Sequence, residues 1–424
     1  MHRRNVGGIW QCAWTCLLSA LISAAPCTAE EPALQGPPPS PRPPTVVVSW
    51  DGTGDFGPQT PNTKTAGWQE AIDHCVAQGR DLYITGGWGG RKAIYNVSET
   101  ITIPATQDFR IDGGIYVLNW TGIPDDPAKD LVAIDSTMNG EYHFGIFVYG
   151  GAGAALRIRP EHPVPIDGFA VTVETEITSQ GIADPSPFTP GERKAGTGLI
   201  LDGSRAPITC SRFDFIGGIL NFNTCVDVRG AFVQNEFRCL HLHTNADNST
   251  LFELGPECSQ NTVKLAVGVD QGASGVKGIR IRGFKNTFEI NTRGGFPRGN
   301  DLILEDSADG NRIELVHARP EFDPLDFITD GAARATNQIT WAGSTIHTRT
   351  IDLSAGTETY TQRLYPASVI ISKGEVSRLT FVRGPTSIDF TPWRAHPVLL
   401  DVGDQLVVES PSPVQLMVIP HKSS

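Results

Sequence analysis

The chain has 424 residues, 34 Lys+Arg against 46 Asp+Glu, a formal charge of −12 and 39% apolar residues. Such a length is enough to bury a sizeable core in one large domain or two smaller ones. The acidic balance argues against nucleic acid or an anionic membrane surface as a partner.

The opening MHRR is basic, and IWQCAWTCLLSALISAA follows as an apolar run that ends in small residues before Glu30. This is the layout of a secretory signal spanning 1–29 with cleavage after Ala29, so the sequence predicts export to the periplasm, the cell surface or the medium. No later stretch is apolar enough to span a membrane, and membrane insertion is not expected. Five cysteines lie beyond the signal: Cys75, Cys210, Cys225, Cys239 and Cys258. Their number is odd and no CxxC or Cys/His spacing suggests zinc, so they read as small buried side chains, with one disulfide among the last four left open.

Residues 30–44 form a proline-rich spacer without core residues. TVVVSW then reads as a strand by its β-branched content, and DGTGDFGPQTPNTKT as turns. KTAGWQEAIDHCVAQG places Ala66, Trp68, Ala71, Ile72, Cys75 and Val76 at helical spacing, with Gly79 as the stop. Everything after this helix consists of short β-rich runs broken by Gly, Asn and Asp.

An asparagine precedes an apolar–variable–apolar pair at Asn235, Asn261, Asn286, Asn311 and Asn337, at a period of about 25 residues that signals stacked repeats. Within each unit, pairs such as Phe288/Ile290 and Ile313/Leu315 alternate with polar residues as one strand, and a second strand (VDV, FEL, IRI, LIL) precedes it. No useful helix fits alongside them, so each unit is expected to be one coil of a parallel β-helix. The asparagines are expected at corners in left-handed φ/ψ, with their amides stacked into a ladder. Solenoid ends expose strand edges, so the helix at 66–78 is expected to cap the amino-terminal end.

The order DFG, NTKTAGWQEAIDHC, LYITGG, YNV and TITIP, at Asp55–Gly57, Trp68–Cys75, Leu82–Gly86, Tyr95–Val97 and Thr100–Pro104, resembles the opening of the pectate-lyase-like proteins of the rhamnogalacturonase/epimerase type. The resemblance implies an all-β, right-handed, single-stranded parallel β-helix (the pectin-lyase fold) over 45–342. That family contains lyases, hydrolases, epimerases, tailspikes and proteins without a known reaction, so the resemblance implies a fold and leaves the reaction open. The Asn-Thr-Asp, Gly-His-Gly and Arg-Ile-Lys motifs of its hydrolases are absent, and no catalytic residue carries over.

Hydrolysis of a polysaccharide needs two carboxylates astride the glycosidic oxygen. β-Elimination from a uronate needs a cation, calcium being the option for a lyase, together with a base. Either set must project outward from the coils. Glu174 and Glu176 in VETE share one strand face at a separation that suits hydrolysis, and His241 and His243 in LHLHT share another. These four are the catalytic candidates. Asp227, Glu253 and Arg280 fall at equivalent outward positions in consecutive coils; Asp227 and Arg280, with Trp88 in TGGWGG as a platform for a sugar ring, are the substrate-binding candidates. No metal site is predicted.

After Trp341 the period stops, and 343–424 shows short alternating strands expected to form a small antiparallel β module. Its VGDQLVV stretch resembles modules that end tailspike-like β-helices and assist trimer formation, which leaves a homotrimer open. The leading expectation is a secreted protein that binds or acts on an extracellular polysaccharide as a lyase or glycoside hydrolase. The alternative is a non-catalytic surface, adhesion or tailspike-like scaffold.

Overall fold

The computed structural model describes residues 45–421 apart from 88–92, 106–108, 136–139, 163–169, 174–176, 180–195, 245, 270–272, 293–295, 297–298, 318–327, 333–335, 343–346 and 392–395. Parallel strands stack coil upon coil into two sheets. Nine strands, from Ile101–Ile103 to Ile328–Asp330, form one sheet, here the long wall. Sixteen form the other, which folds into two arms because Glu236–Thr244 pairs with both Arg212–Phe215 and Ile219–Leu220 of the preceding coil. This is the parallel β-helix expected from the repeat.

Period-two strands explain the core. Thr287–Thr292 alternates exposed and buried, with Phe288 and Ile290 inside. Register carries Phe237 onto Val263, Phe288 and Ile313 in successive coils, so side chains stack at the coil spacing of about 4.8 Å. Phe213, Phe237 and Phe252 are fully buried, with Phe237 5.6 Å from Phe252 between ring centroids.

The asparagines form the expected ladder. Asn235 donates its backbone N–H (2.9 Å) and its Nδ2 (3.2 Å) to Asn261 Oδ1, and the same pattern continues through Asn286 and Asn311 to Asn337. One expectation is corrected. The left-handed residue is the one before each of the first four asparagines: Gln234 (φ 58°), Gln260 (58°), Lys285 (54°) and Gly310 (63°). That residue takes the corner so that the asparagine side chain turns inward, where Nδ2 also bonds a carbonyl of the preceding bend, as from Asn261 to Phe232 O at 2.8 Å.

The helix spans Trp68–Gln78 and buries Trp68, Ala71, Ile72 and Cys75 over the open end of the core. Gly79 at φ 63° ends it and donates its N–H to Cys75 O. Gly67, at φ 85°, lies where a Cβ would come within 2.4 Å of the Gly57 backbone. The helix also closes a sheet edge. Gln69 Nε2 donates to Thr102 O (3.1 Å) and Thr102 N donates to Gln69 Oε1 (2.7 Å), so one side-chain amide replaces a neighbouring strand at the first strand of the long wall.

At the opposite end, Leu364 (φ 68°) forms a parallel bridge with Gln338, and Leu364 O accepts from Ile339 N at 2.6 Å. Tyr365 stands edge-on to Trp341 at 5.6 Å, which places Trp341 at the end of the core. The eight antiparallel strands from Arg349–Leu353 to Val414–Pro420 form two four-stranded sheets, ordered first–eighth–third–sixth and second–seventh–fourth–fifth. That interleaving is a jelly roll. All five described cysteines are free, so the disulfide left open among them is not formed. Burial pushes the Cys75, Cys225, Cys239 and Cys258 thiols up to about 12, which leaves them unreactive.

One buried acid gives the fold a pH signature. Asp301, 2% exposed, accepts from Thr292 Oγ1 at 3.1 Å, and burial pushes its carboxyl up to about 7. From about pH 4 to 7 the folded state therefore holds a proton that the unfolded chain has released, so this group lowers stability as pH rises through that window. Asp301→Asn is expected to be more stable than the parent at pH 8, by about 2–4 kcal/mol, and equal to it near pH 4. Melting temperatures across that range check it; parallel curves for the two proteins would refute it.

Candidate functional site

Asp227, Glu253 and Arg280 stack in register on the outer face of the long wall, as the sequence predicted, and Arg157 stands two coils before Asp227 in the same row. Two residues further along, a second outward row carries Asp202, Arg229, Gly255, Arg282 and Glu305, which follow the paired Leu201, Val228, Leu254, Ile281 and Leu304. Neighbouring strands thus bring eight charged side chains of one face together without any sequence motif.

Some of these groups are saturated. Arg157 binds Asp130 through Nε (2.5 Å) and Nη2 (2.9 Å), and Asp130 Oδ1 also accepts from Ala154 N. Arg280 bridges Glu253 and Glu305, with Nε at 2.9 Å from Glu305 Oε1. Such pairs fix side chains and raise both guanidinium pKa values through their carboxylate partners, against the opposing effect of burial.

Asp202 and Asp227 differ. Asp202, with a side chain 7% exposed, accepts from Ser204 N (3.1 Å) and Ser204 Oγ (2.5 Å), and Arg229 Nη2 lies 3.1 Å away. Burial pushes its carboxyl up, but these donors outweigh burial and the net shift is downward. Asp227 is 21% exposed, and its nearest cation, Arg229 Nη1, is at 3.7 Å, beyond hydrogen-bond range. Burial pushes Asp227 up, and the negative charges of Glu253 and Asp202 add to it against Arg229 and Arg282. The two carboxyls are diagonal neighbours, one strand and two residues apart, so their Cα atoms are separated by about 8 Å. One is held ionised and the other is biased toward its acid form, the division of roles that acid–base chemistry requires.

No protein-family model matches this sequence, and no curated protein does. Among solved structures, the chain is similar to the tailspike protein of the Acinetobacter phage vB_ApiP_P1, at 11% identity over 89% of this chain and 87% of that one, with a TM-score of 0.40. A second is the Dettilon tailspike protein, at 11% identity over 88% and 94%, TM-score 0.26. A third is the tailspike protein gp49 of Acinetobacter baumannii bacteriophage Fri1, a capsular polysaccharide depolymerase, at 9% identity over 89% and 85%, TM-score 0.30. The β-helix here is read from strand register, and the site from its own side chains.

The other sequence candidates lie elsewhere. His241 and His243 stand on the second arm of the folded sheet, with ring centroids 5.0 Å apart. A register shift between Cys239 and Leu242 aims His241, and Gly218 beneath it (φ 117°) has no room for a Cβ, which would fall 2.2 Å from His241 O. This wall is separate from the one that holds Asp227 and Arg280, so the four described candidates do not make one site. Glu174, Glu176 and Trp88 lie outside the described residues. Their flanking residues Val173 and Ile177 align, two coils on, with Cys239 and Leu242. Among the described residues, no group of three or more His, Cys, Asp or Glu is placed to hold a metal ion, and no helix is long and apolar enough to cross a membrane.

Asp202 escaped the sequence reading. It sits in Thr197–Thr209, whose register jumps between Gly203 and Ile208, one coil before the first ladder asparagine, so the period does not reach it. Its signal was LILDG, an acid two residues beyond an outward position, as Arg229 follows Asp227.

Proposed function

We propose that the protein is an exported glycoside hydrolase of the pectate-lyase-like type that binds an extracellular polysaccharide along the long wall and cleaves it with Asp202 and Asp227. The observation that carries this reading is the opposite displacement of two neighbouring carboxyls on one outward face. Asp227, whose hold on its proton is strengthened by burial, donates that proton to the leaving glycosidic oxygen as that bond breaks. Asp202, kept ionised by Ser204 and Arg229, activates the attacking water or bonds the sugar directly, according to the gap between the carboxyl groups. Arg280, clamped between Glu253 and Glu305, holds the floor of the binding row two coils on from Asp227.

The histidine pair on the second arm is the rival centre; there a histidine takes the proton, and a lyase reaction with calcium is the chemistry to look for. A scaffold reading is favoured by one observation, the closed ion pairs of Arg157 and Arg280, which bind as structural pairs do. On that reading the jelly roll is an assembly module and the protein forms homotrimers.

Digestion of a panel of plant, algal and bacterial polysaccharides, with and without calcium, separates these readings. New reducing ends without absorbance near 235 nm support the hydrolase; absorbance at that wavelength replaces it with the lyase. Silence across the panel from folded protein leaves the scaffold.

A further inference from the structure

Arg229 and Arg282 flank Gly255 in the outer row of the long wall: Gly255 N donates to Val228 O (2.7 Å), Arg282 N donates to Leu254 O (2.9 Å), and a Cβ on Gly255 would lie 3.3 Å from Arg229 Cα. Between the two arginines the wall therefore carries no side chain. Two coil steps separate them, about 9.6 Å. The arginines here differ from their saturated neighbours. Arg282 lies 3.7 Å from Glu253 and 3.8 Å from Glu305, outside hydrogen-bond range of both, and its Nε–H is buried without an acceptor. Arg229 has one close partner, Asp202 at 3.1 Å. Their side chains are 36% and 45% exposed, against 13% for Arg157 and 24% for Arg280.

We propose that the Arg229–Gly255–Arg282 notch is an oxyanion subsite that takes a carboxylate or sulfate ester borne on alternate sugars of a glycan laid along the solenoid axis. A guanidinium is a planar fork of donors that matches such a group in two parallel hydrogen bonds, and an orphaned buried N–H is a donor waiting for one. The spacing selects the repeat. Coils advance by about 4.8 Å, close to the rise of one sugar in an extended chain, so arginines two coils apart meet every second sugar while the bare Gly255 accommodates the one between. Asp202, Asp227, Glu253 and Glu305 lie 3.1 to 3.8 Å from the two arginines, so an anion is held here by the guanidinium forks themselves and not by a general positive field. The inference rests on the reading that a glycan occupies the long wall, and it adds the charge and period of that glycan.

Calorimetric titration with three probes tests it: a hyaluronan hexasaccharide, a chondroitin sulfate hexasaccharide and neutral cellohexaose. The charged probes are expected to bind and the neutral one at least about tenfold more weakly, with affinity falling as salt screens the contact. Arg282→Gln, which breaks no close bond, is expected to lose about tenfold, and Arg282→Lys to recover only part of it because it keeps the charge without the fork. Lys264→Ala, on the other sheet, should bind as the parent does, and binding read by titration stays distinct from cleavage read by reducing ends. Equal binding of cellohexaose, no binding of either charged probe, or an unchanged Arg282→Gln of normal melting temperature overturns the subsite.

Discussion

Asn286→Ala is expected to lower stability by about 3–5 kcal/mol, the largest effect of any single polar substitution in the solenoid. Asn286 is 1% exposed, and its amide makes four hydrogen bonds: Oδ1 accepts from Asn261 N (3.0 Å) and Nδ2 (2.9 Å), while Nδ2 donates to Cys258 O (3.2 Å) and Asn311 Oδ1 (3.1 Å). Alanine leaves the Asn261 N–H buried without a partner, which costs about 1–3 kcal/mol, and removes the Nδ2 bonds to Cys258 O and Asn311 Oδ1, worth about 1 kcal/mol each, while Cys258 O keeps its bond from Phe284 N. Chemical denaturation should show the transition moved to lower denaturant. By contrast, Lys264→Ala removes a surface pair with Glu289, both side chains about half exposed, and should change stability by less than about 1 kcal/mol. Equal effects from the two substitutions would show that the ladder is ornament to the stacking.

Asp227→Asn is expected to reduce the rate of glycan cleavage by about 10²–10⁴, the contribution of a positioned general acid. The pH profile carries the sign. Asp227 must hold its proton, so activity falls as pH rises through its raised pKa; Asp202 must be ionised, so activity falls as pH drops through its lowered one. In Asp227→Asn the alkaline limb should vanish with most of the rate, and Asp202→Asn should remove the acidic limb. A panel-positive protein whose Asp227→Asn variant keeps its rate would move catalysis to another wall, the histidine pair first.

The repeat was legible because one coil is a local unit. Period-two alternation and a corner asparagine recur every 25 or so residues, and each makes its bonds with copies of itself, so counting was enough to give register, core and ladder. The φ assignment failed within that same unit because φ > 0 is a steric label that Gln, Lys and Asn can all bear, whereas the inward amide is a demand that only the asparagine meets. The site was half legible. Asp227 and Arg280 occupy the regular row, but Asp202 stands beside an irregularity, and its shift from Asp227 arises from Ser204, Arg229 and burial, which no linear spacing encodes. The jelly roll was legible as antiparallel strands and not as a topology, since pairs such as Arg349–Leu353 with Val414–Pro420 join the two ends of the module.

The Leu364 strap ties two kinds of architecture mechanically. Leu364 and Tyr365 occupy the place of one more coil against Gln338 and Trp341, yet Arg349–Leu353 and Gly356–Thr361 before them and Ala367–Lys373 after them belong to the jelly roll. A pull on the jelly roll is thus delivered to the last coil through a strap held by a backbone bond, a ring contact and the Arg363–Asp330 pair together. Those three must yield at once for the end to peel, so the tip of the solenoid behaves as a load-sharing anchor.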